Sequence, residues 1–326
     1  LFAQRNRYEG SIFIPNYRSF ASGFFWIERW QGNRWELEAG LRYDYRWMRV
    51  VRWSDNVIVK PEYSFHNASV TLGANCRVTP LWQWNFHLGT AWRPPHVSEL
   101  FSAGLHHGTA SFEIGNPTLT TEKALKAISS ISYKDKSKKL NLELDSYAQY
   151  IWDYIYLKPV FPPTLTVRGA FPTFAYSQVN AFFGGTDIKL TYALWAGLAY
   201  EGKFSMVRAI QLDSKEHLLL IPPDRYEHTL RWSANPKKIT VALSVVQRQK
   251  QWRVSPHQDY APPPNGVVLI NFFAEQTFLL TSRQTIWIGI GVENVLNTAY
   301  RDYMNRFRYF ADEAGRNFSL RIKYSF

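Results

Sequence analysis

Apolar and polar residues alternate with a period of two along nearly the whole chain, and few folds accept that pattern over such lengths. Between positions 34 and 47, Trp35, Leu37, Ala39, Leu41, Tyr43, Tyr45 and Trp47 share one face. Arg34, Glu36, Glu38, Gly40, Arg42, Asp44 and Arg46 occupy the other. Between 82 and 93 the same split sets Trp82, Trp84, Phe86, Leu88, Thr90 and Trp92 against Gln83, Asn85, His87, Gly89, Ala91 and Arg93. The ending repeats it, with Phe318, Leu320, Ile322, Tyr324 and Phe326 opposite Ser319, Arg321, Lys323 and Ser325. Side chains alternate across a strand and not around a helix, so the chain is built of strands.

Soluble sandwiches alternate too, and three details separate this chain from them. The alternating segments run for about 10–15 residues, against roughly 5–6 for an average soluble strand. The polar face is densely charged, as the wall of a water-filled lumen would be. The connections also alternate between short and long. Short ones fall at Gln31-Gly32-Asn33, Thr79-Pro80, Lys136-Ser137-Lys138, around Leu194-Trp195, at Asn235-Pro236-Lys237 and at Thr281-Ser282-Arg283. Long ones fall near 50–63, 94–121, 158–172, 211–224, 253–265 and 297–315. Short periplasmic turns and long external loops give this rhythm in a membrane barrel. The pattern predicts an all-β fold, an antiparallel transmembrane β-barrel, with about thirteen strands here. Residues 1–18 read as the tail of an earlier external loop, and the last strand leaves the C-terminus in the periplasm. An odd strand number leaves an edge that lipid does not tolerate, so a further segment has to close the barrel.

Composition agrees. With 13 Trp, 19 Tyr and 22 Phe, aromatics make up 17% of the 326 residues, which suits the aromatic girdles at the two membrane interfaces. Trp35, Trp47, Trp82, Trp84, Tyr150 and Trp152 sit near predicted strand ends and read as such anchors. No apolar run approaches the roughly 20 residues of a membrane helix, which excludes a helical membrane protein. The net charge of +12 is scattered over many strands; a nucleic-acid partner would call for one basic stripe. Cys76 is the single cysteine, expected to be a small apolar filler. The chain opens at Leu1-Phe2-Ala3-Gln4, without an initiator Met or a signal peptide, and reads as a piece of a longer protein.

Three phrases carry a family resemblance. The first runs Trp92-Arg93-Pro94-Pro95, then Ser98-Glu99-Leu100-Phe101, then Phe112-Glu113-Ile114-Gly115-Asn116-Pro117-Thr118-Leu119, followed by Glu122. The second is Val292-Glu293-Asn294-Val295-Leu296-Asn297 with Tyr300-Arg301-Asp302-Tyr303, then Gly315-Arg316-Asn317-Phe318 and the terminal Phe326. The third is Gly40-Leu41-Arg42-Tyr43-Asp44. Together they resemble the TonB-dependent outer-membrane receptors: their arginine-proline box, their Asn-Pro-x-Leu box, their last hairpin and their closing aromatic. The resemblance implies a plugged barrel of roughly 22 strands. Residues 1–326 would then be the C-terminal portion of that barrel, with the N-terminal strands, the plug and the TonB-contacting segment lying outside this sequence.

Candidate ligand-binding residues lie in the long loops. His96, His106 and His107 occupy the 94–121 loop, and imidazole is the usual protein ligand of haem iron or zinc. Haem receptors of the resembled family carry a histidine between the two boxes, which marks His106 and His107 as possible haem or zinc ligands. Against that, a Gly-x-His-His phrase also serves loop structure alone. Arg301, Tyr303, Arg306, Arg308 and Tyr309 cluster in the last loop, where guanidinium and aromatic groups can grip a polyanionic or catecholate ligand. Alternatively Arg301 and Arg308 pair with Asp302, Asp312 and Glu313, or contact lipopolysaccharide phosphate. Residues 253–264, with Arg253, His257, Asp259, Tyr260 and the three consecutive prolines Pro262, Pro263 and Pro264, read as a stiff external loop open to ligand. Inward charges such as Arg42, Arg46, Glu143, Asp145, Arg231 and Arg248 are expected in a lumenal salt-bridge lattice.

No nucleophile–base constellation, phosphate loop or cysteine-based zinc site is present, so enzymatic activity is not expected. The resemblance implies active import across the bacterial outer membrane of a scarce solute: a ferric siderophore, haem or another metal chelate. Haem or a chelate would be cargo, with no intrinsic cofactor. Implied partners are outer-membrane lipid and lipopolysaccharide, the remaining barrel and plug, TonB and the chelate. Two alternatives stand beside this: import of a glycan or peptide, and a plugless or split barrel acting as a surface-binding or scaffold protein. A soluble sandwich fits least, because its outward Trp, Leu and Ile would form an exposed apolar patch beyond a few hundred Å².

Overall fold

The computed structural model describes residues 1–7, 13–54, 57–234, 239–256, 258–281 and 284–326. The strands β1 (Phe2–Asn6), β2 (Asn16–Gln31), β3 (Trp35–Ser54), β4 (Val57–Val59), β5 (Glu62–Arg77) and β6 (Trp82–Arg93) open the chain. A structured connection follows, with helix α1 (Val97–Phe101) and strands β7 (Ala103–His106) and β8 (Ser111–Ile114). Next come β9 (Glu122–Lys134), β10 (Leu140–Thr166), β11 (Gly169–Ala193), β12 (Leu198–Gln211) and β13 (Arg225–Ala234). The chain finishes with β14 (Ile239–Arg248), β15 (Val267–Leu279), β16 (Thr285–Glu293) and β17 (Asn317–Ser325). Strands β2, β3, β5, β6 and β9 to β17 are long, thirteen in all, and β1, β4, β7 and β8 are short additions. Antiparallel ladders join the long strands one to the next in chain order from β2 to β17. No helix among the described residues is long and apolar enough to cross a membrane; the strands do not bear on that statement.

The alternation becomes two faces of one sheet. Leu243, Phe272, Val292 and Phe318 stand in one lateral row across β14 to β17, and Phe318 is 70% exposed. On β2 and β3, Phe24, Trp26, Leu41 and Tyr43 are exposed on the same side. An open row of large apolar side chains suits lipid and not water. The opposite face carries an ionic lattice, but largely of other residues than those expected. Of the six, Arg42 and Arg248 find carboxylates in Asp44 and Asp302, while Arg46, Glu143, Asp145 and Arg231 form no ion pair among the described residues. Lys189 and Lys203 flank Glu201, and Lys203 and Arg225 both reach Glu227; Arg42 pairs with Asp44 on the same strand.

The two ends of the sheet differ. At one end the turns are tight. Gly197 has φ +81°, and a Cβ there would lie 2.1 Å from the Ser233 carbonyl oxygen, so the turn before β12 requires glycine. The expected turn at Asn235-Pro236-Lys237 lies outside the described residues, as do Ser282 and Arg283 of the Thr281 turn and His257. At the other end lie the long connections, and three expectations need correction there. Residues 1–18 are not all loop, because β1 pairs with the first residues of β2. The stretch 50–63 is nearly all strand: β3 continues to Ser54, folds back through β4 and enters β5. The stretch 158–172 is a hairpin, in which β10 and β11 stay paired out to Thr166 and Gly169. Pro159, Pro162 and Pro163 lie within β10, and a register shift between Val160 and Thr164 absorbs the consecutive pair. Because these strands run on through the stretches expected to be loop, Trp47, Tyr150 and Trp152 sit well inside β3 and β10 rather than at their ends.

Cys76 is buried opposite Trp84, the filler role expected of it. On the charged side of the sheet, α1 folds down onto β2, β3 and β10. Val97, Leu100, Phe101 and Leu119 pack with Tyr17, Met48, Val50 and Ile155. Each such side chain contributes roughly 1.5–3 kcal/mol on burial, enough to fix the 94–121 segment against the wall.

Candidate ligand-binding loop cluster

The arginine-proline box and the Asn-Pro-x-Leu box are one structural unit. Arg93 donates from Nη1 to both Glu99 carboxylate oxygens, at 2.8 and 2.7 Å, and from Nη2 to Glu122 at 2.8 Å. It thereby ties the start of α1 to the first residue of β9. His96 caps α1: its Nδ1 accepts from the Ser98 amide, while Glu99 accepts from the His96 amide. Burial lowers the His96 pKa; Glu99 opposes that shift, and Arg46 and Arg93 reinforce it. An unprotonated Nδ1 is what a capping acceptor needs. Pro94 is buried beside the box. The second box closes the loop. The Gly115 amide donates to Ser102 and the Asn116 amide to Glu99. The Asn116 side chain accepts from Thr118, which sets the turn through Pro117 and places Leu119 in the core.

The last hairpin is built by the same kind of residue. Asn294 and Asn297 both take positive φ, 50° and 55°, which asparagine tolerates better than most residues. Asn294 bonds Thr298 through both ends of its amide, and Asn297 accepts from the Arg316 amide. Gly315 leaves room for Asn297, whose Oδ1 would lie 2.5 Å from a Cβ at that position. Phe326 stacks on Tyr324 at the chain end.

Above this base, five segments converge. Strand β8 lies parallel to Thr173–Ala175 of β11, which brings Glu113 beneath the last loop. Glu113 is 2% exposed. It meets His106 Nδ1 at 2.9 Å, Arg306 Nη1 at 2.9 Å and the Tyr176 hydroxyl at 3.3 Å. Arg306 also donates to the Ser111 hydroxyl and lies over the Phe174 ring. Two residues along, Arg308 is paired with Asp259 and sandwiched by Tyr303 and Tyr309, each ring 4.7 Å from the guanidinium carbon. Tyr309 donates to Asp259 at 2.6 Å. Tyr260 accepts from the Thr173 amide, donates to the Val160 carbonyl and packs against the Phe161 ring at a tilt of 40°. Arg253 reaches Asp224 at 3.1 Å, bringing in the 211–224 connection.

These contacts sort the expected ligand residues. Arg306, Arg308, Tyr309, Tyr303 and Tyr260 are brought together, but they hold loops to one another. Arg301 pairs with Asp312 as expected, at 2.8 Å, and also donates to the Arg308 carbonyl. Arg308 takes its partner from another loop, not from Asp302, Asp312 or Glu313. His96 is a helix cap. His107 is exposed and begins a short 3₁₀ turn. Among the described candidates His106 combines an open ring, 41% exposed, with a carboxylate fixing one nitrogen. Its ring stacks on Phe13 at 5.0 Å. Glu113, Asp259 and Tyr176 escaped the sequence reading in these roles. The one sequence signal for Glu113 is a carboxylate within a short apolar phrase, Phe112-Glu113-Ile114.

Long strands with an apolar outer row, an ionic inner face and loops interlocked at one end define a membrane β-barrel wall with an ordered rim. The chain belongs to the TonB dependent receptor-like, beta-barrel family, whose model matches residues 3–295; the family is one of outer-membrane transport receptors. Solved structures agree on the fold. A copper transporter, OprC, superimposes with TM-score 0.78 at 16% identity, over 96% of this chain and 48% of that one. The FrpB iron transporter from Neisseria meningitidis gives 0.67 at 16%, over 96% and 46%. The Serratia marcescens hemophore receptor HasR, solved with its hemophore HasA and heme, gives 0.67 at 17%, over 96% and 52%. The chain thus spans about half the length of the solved structures it matches. No curated protein compared with it matches.

Proposed function

We propose that this chain is the C-terminal wall of a bacterial outer-membrane, TonB-dependent importer of a metal chelate, and that haem is held at the rim through His106. The observation that carries the haem assignment is the His106–Glu113 pair. A carboxylate on Nδ1 fixes the ring and leaves Nε2 as the free ligand, the arrangement that orients metal-binding histidines. Haem needs only one or two axial ligands, because the porphyrin supplies the rest. A bare ion is less well served: among the described residues no three histidine, cysteine or carboxylate groups converge. A polyanionic siderophore is also less well served, since Arg301, Arg306 and Arg308 are already paired. Relatives in the fold include copper and iron transporters and a hemophore receptor, which supports a metal-related cargo. In this reading the loops face outward, the C-terminus is periplasmic, and the remaining strands, a plug and TonB act with this chain.

The test is growth of an iron-limited strain lacking the gene, supplied with haem as its iron source. Restoring the full-length gene should restore growth only where TonB is functional. Growth restored equally without TonB would overturn the proposal.

A further inference from the structure

Three arginines stand side by side on the outer face of the wall. Arg5 of β1 faces Arg18 of β2 across the ladder, and Arg18 faces Arg49 of β3. The row two residues nearer the turns is Ala3, Phe20 and Trp47, so the arginines share the side that carries the apolar belt. Arg49 lies over the Trp47 ring at 5.6 Å, and all three arginines are exposed. Like charges directly opposite on neighbouring strands destabilise a sheet, and here two such pairs are adjacent. Among the described residues of the row Glu62 of β5 answers them, bound to Arg49 at 2.6 Å. Arg7 and Lys60 border the same cleft, of about 330 Å³, and no carboxylate among the described residues lines it.

We propose that the Arg5–Arg18–Arg49 row binds the phosphate groups of a phosphorylated glycolipid, of the lipopolysaccharide type, in the leaflet at the loop end. The inference rests on the membrane-barrel reading, with the loop end outward. Depth supports it, because aromatic rows mark the level where hydrocarbon meets headgroups, and the arginines lie one step beyond. Spacing supports it as well: neighbouring strands are roughly 4.8 Å apart, so the row covers about 10 Å, a span suited to two phosphates on one headgroup. Guanidinium forks match phosphate oxygens in pairs, and the anion removes the repulsion that the ladder builds in. The apolar belt below takes the acyl chains of the same molecule.

The experiment uses the full-length protein in detergent micelles and native mass spectrometry. Probes are bis-phosphorylated lipid A, the same lipid dephosphorylated, and inorganic phosphate. The protein should hold the bis-phosphorylated lipid at least about tenfold more tightly than the dephosphorylated one. The triple variant R5Q/R18Q/R49Q should lose that preference, and R5K/R18K/R49K should keep part of it. Equal lipid binding by the wild type and the Gln variant would overturn the site. Displacement of the lipid by millimolar inorganic phosphate would overturn the lipid assignment in favour of a free anion. Each variant's folding is checked by the gel mobility of unboiled samples. If the triple variant does not fold, R18Q alone, at the centre of the row, gives the same reading. Failure of the membrane reading shows separately, as wild-type protein absent from the outer-membrane fraction.

Discussion

Arg308 and Asp259 meet with their side chains 1% and 5% exposed, although 49 residues separate them in sequence. One belongs to the loop between β16 and β17 and the other to the loop between β14 and β15. Their contact makes two surface loops a single body, and removing either partner strands the other charge away from water. Breaking a buried pair in this way costs about 3–5 kcal/mol.

Arg308→Ala should therefore free both loops while leaving the wall intact. Amide hydrogen exchange across 249–266 and 294–316 is expected to rise by at least about a hundredfold, with β14 to β17 unchanged. Unchanged loop protection in the variant would show that the rings of Tyr303 and Tyr309 suffice without the charge.

Gly115→Ala tests the joint between the two boxes. An added Cβ would sit 2.5 Å from the Phe101 nitrogen and 2.6 Å from the Ser102 nitrogen, and backbone atoms cannot swing aside as a side-chain tip can. The variant should release α1 from the wall, seen as protease cleavage between 94 and 121 where the wild type resists. Wild-type resistance would contradict the account of this loop.

How far the sequence foretells this molecule differs between wall and rim. Period-two alternation predicts the long strands and the inward or outward direction of Trp35, Leu41, Arg42 and Phe318, because one face meets lipid and the other water. It fails at 50–63 and 158–172, where backbone pairing carries the strands on through stretches whose side chains do not alternate. The rim is only half legible. The boxes around Arg93, Asn116, Asn294 and Gly315 make contacts close in sequence, so their spacing carries the information. Arg306 meeting Ser111 spans 195 positions, and Tyr260 meeting Thr173 spans 87. Such partners follow from which loops the sheet order brings together, and no local pattern records that.

The Tyr309 phenol gives a prediction in alkali. Burial, then the Asp259 charge, raise its pKa well above the ordinary tyrosine value. The unfolded chain ionises this group near pH 10 while the folded loop keeps it protonated. Its stabilising contribution is thus fully present below about pH 10 and is lost as pH rises through the folded value. Absorbance at 295 nm, titrated for the wild type and Tyr309→Phe, should show no one-tyrosine difference near pH 10. A clear difference there would mean that Tyr309 is neither sealed nor held by Asp259.

Uptake of a metal chelate through one histidine of the rim can be read in a visible-absorption titration with haemin. Full-length protein in detergent is compared with His106→Ala and His107→Ala. The account predicts a saturable Soret shift in the wild type and in His107→Ala, lost in His106→Ala. An equal shift in all three proteins, or none in the wild type, would contradict it.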